Sequence, residues 1–321
     1  MERFDVVCIG VALIDLPLGP VDEQLFRRET TMVGRIRLTT GGDALNEAVV
    51  LARLGKKTAL IGHIGMDLPG DAIVKRCRGE GVDASRLRID PDAETRINVV
   101  VIGKDGQRHF IKTQSAVSSS FGPDEIDYDL IRQARAVSLA SIFCSKLRNP
   151  VTIEKILRTA SECGVLTFAD MVPMTGGETI EDIKEALPLL DYFIPNREEA
   201  AMLTGLQEPD EMADCLLQYG VKNVIIKLGR EGCLIKNSRD RLLVPAFPVK
   251  AIDTTGAGDN FTAGFISAVL DGMDLGVCGS FANAVAAIST ETVGAVGGVK
   301  SRLQVDAFLA ENKNRGKHIG Q

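Results

Sequence analysis

Apolar positions in this chain fall into short runs that alternate with helical patterns almost from end to end. Six runs are nearly continuous in apolar and β-branched residues: 4–10 (FDVVCIG), 57–65 (KTALIGHIG), 136–141, 165–170, 192–196 and 223–229. Such runs predict strands covered on both faces, and their separation by helices predicts right-handed βαβ crossovers and a parallel sheet. In the helical pattern 44–55, Leu45, Ala48, Val49 and Ala52 share one face and Gly55 ends it. Two stretches follow a period of two instead: 31–40, and 95–113 with Lys104-Asp105-Gly106 at a hairpin turn. They predict a small antiparallel β lid. The expected fold class is therefore α/β, a doubly wound, mostly parallel sheet flanked by helices. The expected organisation is one domain over 1–321, with a discontinuous lid inserted within about 11–40 and 95–113.

Composition removes several functional classes. Apolar residues make up 45% and charged residues 25%, ordinary for a soluble globular chain. A formal net charge of −6, without any basic run interleaved with aromatics, gives no reason to expect a surface for nucleic acid or an acidic membrane. The seven cysteines are dispersed with no Cys-x-x-Cys pair, which suits reduced thiols, and with three histidines they argue against a zinc site. The first residues, MERFDVVCIG, begin a strand instead of a leader, and no apolar run reaches membrane-spanning length. A cytoplasmic location is expected. Gly10 is followed by Val11-Ala12-Leu13, so the Gly-x-Gly-x-x-Gly of a dinucleotide oxidoreductase is absent.

The chemistry concentrates in DTTGAGDNFTAGF, residues 253–265, read as a strand (249–253), a glycine turn and a helix (260–270). Gly256, Ala257 and Gly258 let successive backbone N–H groups converge on an anion at a helix N-terminus. Asp259 sits at that same helix end, either as a cap or as a working carboxylate. If it works, the helix end is expected to help keep it ionised.

The full string Asp253-Thr254-Thr255-Gly256-Ala257-Gly258-Asp259 resembles the C-terminal signature of the ribokinase-like (phosphofructokinase B type) carbohydrate kinases. GGDALNEAVVLARLG (41–55) is similar to that family's N-terminal signature, PNREEAAMLTG (195–205) to its Asn-x-x-Glu segment, and VIIKLGREGCLI (224–235) to its nucleotide strand and turn. The Gly41-Gly42-Asp43-Ala44-Leu45-Asn46 string also resembles that of a bacterial subgroup of uncharacterised sugar kinases. The resemblance implies transfer of a phosphoryl group from ATP·Mg²⁺ to a sugar hydroxyl, with Asp259 as general base and Gly256, Ala257 and Gly258 cradling the transferred group. It places Asp15, Gly41, Gly42 and Asn46 on the sugar. Asp43, where ribokinases usually have Lys, either selects the acceptor or faces solvent. Asn196, Lys227, Gly229, Gly232 and Asn283 are implied nucleotide contacts. Glu199 is implied to hold Mg²⁺ through water, and Asp253 and Thr255 to help bind a monovalent cation such as K⁺. A nucleoside kinase or a catalytically silent sugar sensor are the alternatives. A homodimer through the lid is the implied partner.

Overall fold

The computed structural model describes residues 3–104, 107–113 and 119–318; Asp105 and Gly106 of the expected hairpin turn lie outside them. The first elements are β1 (Val6–Ile9), β2 (Leu13–Val21), β3 (Arg35–Ile36), β4 (Thr39–Gly41), α1 (Asp43–Arg53), β5 (Thr58–Gly65), α2 (Leu68–Glu80) and β6 (Leu87–Asp90). There follow β7 (Ile97–Gly103), β8 (Arg108–Lys112), α3 (Tyr128–Arg132), β9 (Ala136–Ile142), α4 (Pro150–Glu162), β10 (Leu166–Met171) and β11 (Tyr192–Phe193). The last are α5 (Arg197–Thr204), α6 (Pro209–Gln218), β12 (Asn223–Lys227), β13 (Cys233–Asn237), β14 (Arg241–Val244), α7 (Ala257–Leu270), α8 (Leu275–Thr290) and α9 (Arg302–His318).

The main sheet runs β14-β13-β12-β11-β10-β9-β1-β5-β6. It is parallel from β12 to β6, and β13 and β14 close the other edge antiparallel. Every residue of β1, β5 and β9 is buried. Along β1 the side chains alternate between two apolar layers: Val6 and Cys8 pack toward α1, α7 and α8, and Val7 and Ile9 toward α4 and α6. That is the doubly wound sheet expected from the apolar runs, with the core divided between its two faces.

The second sheet comprises β3-β2-β7-β8, with β4 on β2. Its pairings are antiparallel except β2 beside β7. Here the local pattern misled in two places. Residues 31–40 form only β3 and part of β4, because exposed Met32, Ile36 and Leu38 have no face to bury. The longest strand of this sheet, β2, carries Pro17 and Pro20, which interrupt the local strand pattern. Asp15, which the family resemblance places on the sugar, lies within β2. Residues 249–253 form no strand either: the Ile252 and Asp253 N–H groups donate to Thr290 O (2.7 and 3.0 Å), so a helix end takes the place of a sheet neighbour.

Helix α1 is buried over far more than the expected stripe, Ala44 through Leu51 without a break, because the sheet covers one side and α2 and α7 the other. Its last turn is fixed by Arg53, which forks onto Glu80 (2.8 and 2.7 Å) and also donates to the carbonyls of Val299 (2.7 Å) and Val296. Replacing Arg53 by Met keeps the packed stem but removes these bonds. A loss of about 2 kcal/mol in urea unfolding is expected, and an unchanged midpoint would show that packing alone seats α1.

Candidate active site

A cleft of about 1180 Å³ opens where the carboxyl ends of β10 and β12 and the loop after β11 meet the first turn of α7. Parallel strands collect their carboxyl ends on one rim, and helix N-termini face the same rim. Asp43, Ser141, Asp170, Glu199, Lys227 and Asp259 line it together.

The glycine turn is held rigidly. Gly256 is left-handed (φ 73°), and a Cβ there would lie 2.7 Å from that of Ala295. Asn260 Nδ2 ties the Gly256 and Ala295 carbonyls together, both at 2.7 Å. Of the successive N–H groups at this turn, that of Ala257 is taken by Thr254 O at 3.2 Å. Those of Gly258 and Asp259 belong to the first helical turn, where no earlier turn supplies a carbonyl. The Asp253 carboxylate accepts from Thr255 N (2.8 Å) and Gly294 N (2.9 Å), so it braces this turn; neither Asp253 nor Thr255 lines the cleft.

Asp259 Oδ2 accepts from Asn46 Nδ2 at 2.7 Å, joining residues of α1 and α7. Asp43 takes a bond from Ser141 Oγ and lines the cleft, so it does not simply face bulk solvent. Asp15 Oδ1 accepts from Asn98 Nδ2 at 3.0 Å, across the β2–β7 pairing. A Cβ on Gly41 would fall 2.1 Å from Asp15 Oδ2, and one on Gly42 (φ 97°) 2.5 Å from Val11 O. Asp15, Gly41, Gly42 and Asn46 stand outside the cleft lining, and Asn46 reaches it through Asp259.

The expected ionisation of Asp259 is not what the isolated site favours. Burial raises its pKa well above the carboxylate range, the charge of Asp43 adds to this, and the Asn46 bond only partly opposes it. Burial likewise raises Asp43, against the Ser141 bond, and Asp15, against the Asn98 bond. Glu47, on α1 beside Asn46, is completely buried, and its pKa is raised by that burial although Ser138 Oγ donates to it at 2.6 Å.

Asn196 and Glu199 form a reciprocal cap on α5: Glu199 N donates to Asn196 Oδ1 (2.9 Å) and Asn196 N to Glu199 Oε2 (2.8 Å). The cap does not remove them from the site, since both line the cleft. Burial pushes the Glu199 pKa up to about 7, with Lys227 opposing and Asp170 adding. Lys227 Nζ donates to Asp170 Oδ2, and would lie 3.5 Å from a Cβ on Gly258. Burial disfavours its charge, but Asp170 and Glu199 prevail and raise its pKa.

Gly229 (φ 60°) and Gly232 (φ 104°) turn the chain after β12, and a Cβ on Gly232 would collide with Val244 O at 2.0 Å. Asn283 Nδ2 donates to the Val244 and Pro245 carbonyls (3.1 and 3.2 Å), fixing the 246–251 wall of the cleft. Sequence reasoning missed Asp170, Ser141 and Asn98. The first was detectable as the acidic residue closing an apolar run, at a strand's carboxyl end. The other two carry no local signal.

The pfkB family carbohydrate kinase model matches residues 3–302. Ribokinase of Haemophilus influenzae is 28% identical over 288 residues, covering 88% of this chain and 90% of its own. An ATP-dependent ribose-1-phosphate kinase of Halopiger xanaduensis is 33% identical over 275 residues (86% and 88%). The Arabidopsis thaliana ribokinase structure complexed with ribose and ATP superposes with a TM-score of 0.82 at 25% identity, covering 96% of this chain and 99% of that one. No helix among the described residues is long and apolar enough to cross a membrane.

Glu199 carries a pH signature. With its pKa moved from 4.5 to about 7, the folded chain holds a proton that the unfolded chain has released in that window. Its contribution to stability is therefore full below 4.5 and falls as pH rises toward about 7. Glu199→Gln should flatten that part of the urea stability profile, by on the order of 2 kcal/mol between the two ends, measured without nucleotide or metal. A profile with undiminished slope would assign the titration elsewhere.

Proposed function

This chain belongs to the pfkB family of carbohydrate kinases, and we propose that it transfers the γ-phosphoryl group of ATP to a hydroxyl, the primary one, of a monosaccharide or related sugar acid. The observation that carries this reading is the bond from Asn46 to Asp259, which couples the helix after the Gly41-Gly42 pair to the helix of the anion turn. A base must touch both halves of the reaction: the acceptor that loses a proton and the phosphoryl that replaces it.

Asp259 accepts the proton of the attacking hydroxyl. Its raised pKa supplies proton affinity, while Asn46 and Lys227 favour the carboxylate that must be present at the outset. The N–H groups of Gly258 and Asp259 stabilise charge on the group in transfer, as an oxyanion hole does, and Gly256 and Ala257 shape that turn. Lys227, Gly229, Gly232 and Asn283 form the nucleotide side, and the cleft volume and its lack of side chains at these glycines suit a triphosphate. Asn196 and Glu199 would hold Mg²⁺, mostly through water, and the ion when bound neutralises charge on the phosphates. Asp253 and Thr255 would bind K⁺ only through atoms beyond the carboxylate bonds that already brace the turn.

Asp15, Gly41, Gly42, Asp43 and Asn46 meet the sugar, and closure of the small sheet over them excludes water. Exposed Ile36, Phe110 and Ile111 on that sheet, with Leu38 between β3 and β4, supply the apolar face for a homodimer.

The test is an ADP-release screen with ATP, Mg²⁺ and a panel of hexoses, pentoses, sugar acids, sugar phosphates and nucleosides. A sugar or sugar acid should give the highest rate; turnover confined to nucleosides, or none, would reject the assignment. With the active acceptor, Asp259→Asn should lower kcat by about a thousandfold and leave ATP binding nearly intact. In the same panel Asp43→Ala should change the order of preferred acceptors.

A further inference from the structure

Lys227 and Asp170 form a buried ion pair across β12 and β10, with side chains 12% and 7% exposed. Asp170 has no spare capacity on the side facing α7. Its Oδ2 accepts from Lys227 and from Thr262 Oγ1 (3.0 Å), and its Oδ1 from Met171 N (2.8 Å). Thr262 lies three residues after Asp259, one turn further along the helix that bears the anion turn. The carboxylate thus links the ammonium to the element that presents the transferring group. The ammonium itself lies 3.5 Å from the point that a Cβ on Gly258 would occupy.

Both charges line the cleft, which creates a problem for a triphosphate. An unmasked carboxylate at that depth repels phosphate oxygens, in surroundings where charge is poorly screened. An untethered lysine on a four-carbon stem has many places to go. We infer that Asp170 is a positioning residue that holds the Lys227 ammonium beside Gly258, and that Lys227 in turn masks Asp170 from the nucleotide phosphates. The inference rests on the nucleotide reading of the cleft and extends it to a residue whose carboxylate oxygens bond to protein groups. Its particular consequence is compensation: losing Lys227 alone exposes a buried anion, and losing both partners does not.

The test is isothermal titration of ATP·Mg²⁺ into the wild type, Asp170→Asn, Lys227→Met and the double variant, each first melted to establish that it is folded. Lys227→Met should weaken ATP binding at least about tenfold, and adding Asp170→Asn should restore it to within about threefold of wild type. The neutral double variant guards against a single variant that fails to fold, since it leaves no unpaired buried charge. Asp170→Asn alone should keep ATP affinity within about threefold, yet lower kcat about tenfold at saturating ATP with the acceptor found by the screen. A double variant as weak as Lys227→Met would overturn the inference, as would Asp170→Asn losing affinity with an increased Mg²⁺ requirement, the behaviour of a metal ligand. A wild type that binds no nucleotide would instead reject the underlying reading of the cleft, and the inference with it.

Discussion

Negative charge withdrawn from water is the condition that the cleft must satisfy. Asp43, Asp170, Glu199 and Asp259 line one space, and Lys227 lies among them. Burial and the neighbouring charges make Asp43, Glu199 and Asp259 resist ionising, and the lysine remains charged because carboxylates surround it. Such a group of charges is stable only if each is held in place, and the hydrogen bonds of the site do this. Asn46 holds Asp259, Ser141 holds Asp43, Thr262 and Met171 hold Asp170, and the α5 cap holds Glu199. A site arranged this way gains from the arrival of a cation, and its carboxylates become more acidic when one binds.

The architecture explains how so many like charges come to share one rim. Parallel strands β9, β10 and β12 end at the same level, so Ser141, Asp170 and Lys227 appear side by side although helices separate them in sequence. Helices α1 and α7 start at that level from the opposite direction and bring Asp43 and Asp259. The smaller sheet adds the Asp15–Asn98 pair from residues in register on β2 and β7.

The doubly wound sheet was legible because burial on both faces writes itself into continuous apolar runs, and 4–10, 57–65 and 136–141 all contain fully buried strands. Strand β2 was not legible, because two prolines are tolerated where tertiary pairing outweighs local preference. At the site, Asp259, Asn46, Glu199 and Lys227 stood in local strings that marked them for attention. Asp170, Asn98 and Ser141 are defined by partners 57, 92, 83 and 98 residues away, and no short window of sequence contains such a relation. The pKa of Asp259 was misjudged for the same reason: the helix end is local, but the burial and the Asp43 charge that outweigh it are not.

The clasp behind the glycine turn has a consequence for how this protein can change. Asn260 bonds to the carbonyls of Gly256 and Ala295, none of the three lining the cleft, and Thr290 at the end of α8 receives the chain at Ile252 and Asp253. The position of the turn is therefore inherited from the loop after α8, and owes little to the residues that face a ligand. Substitutions along the cleft walls can alter what is admitted while the backbone at Gly256–Gly258 keeps its shape. A single side chain added behind it, at a site no ligand touches, would shift every atom that depends on that turn.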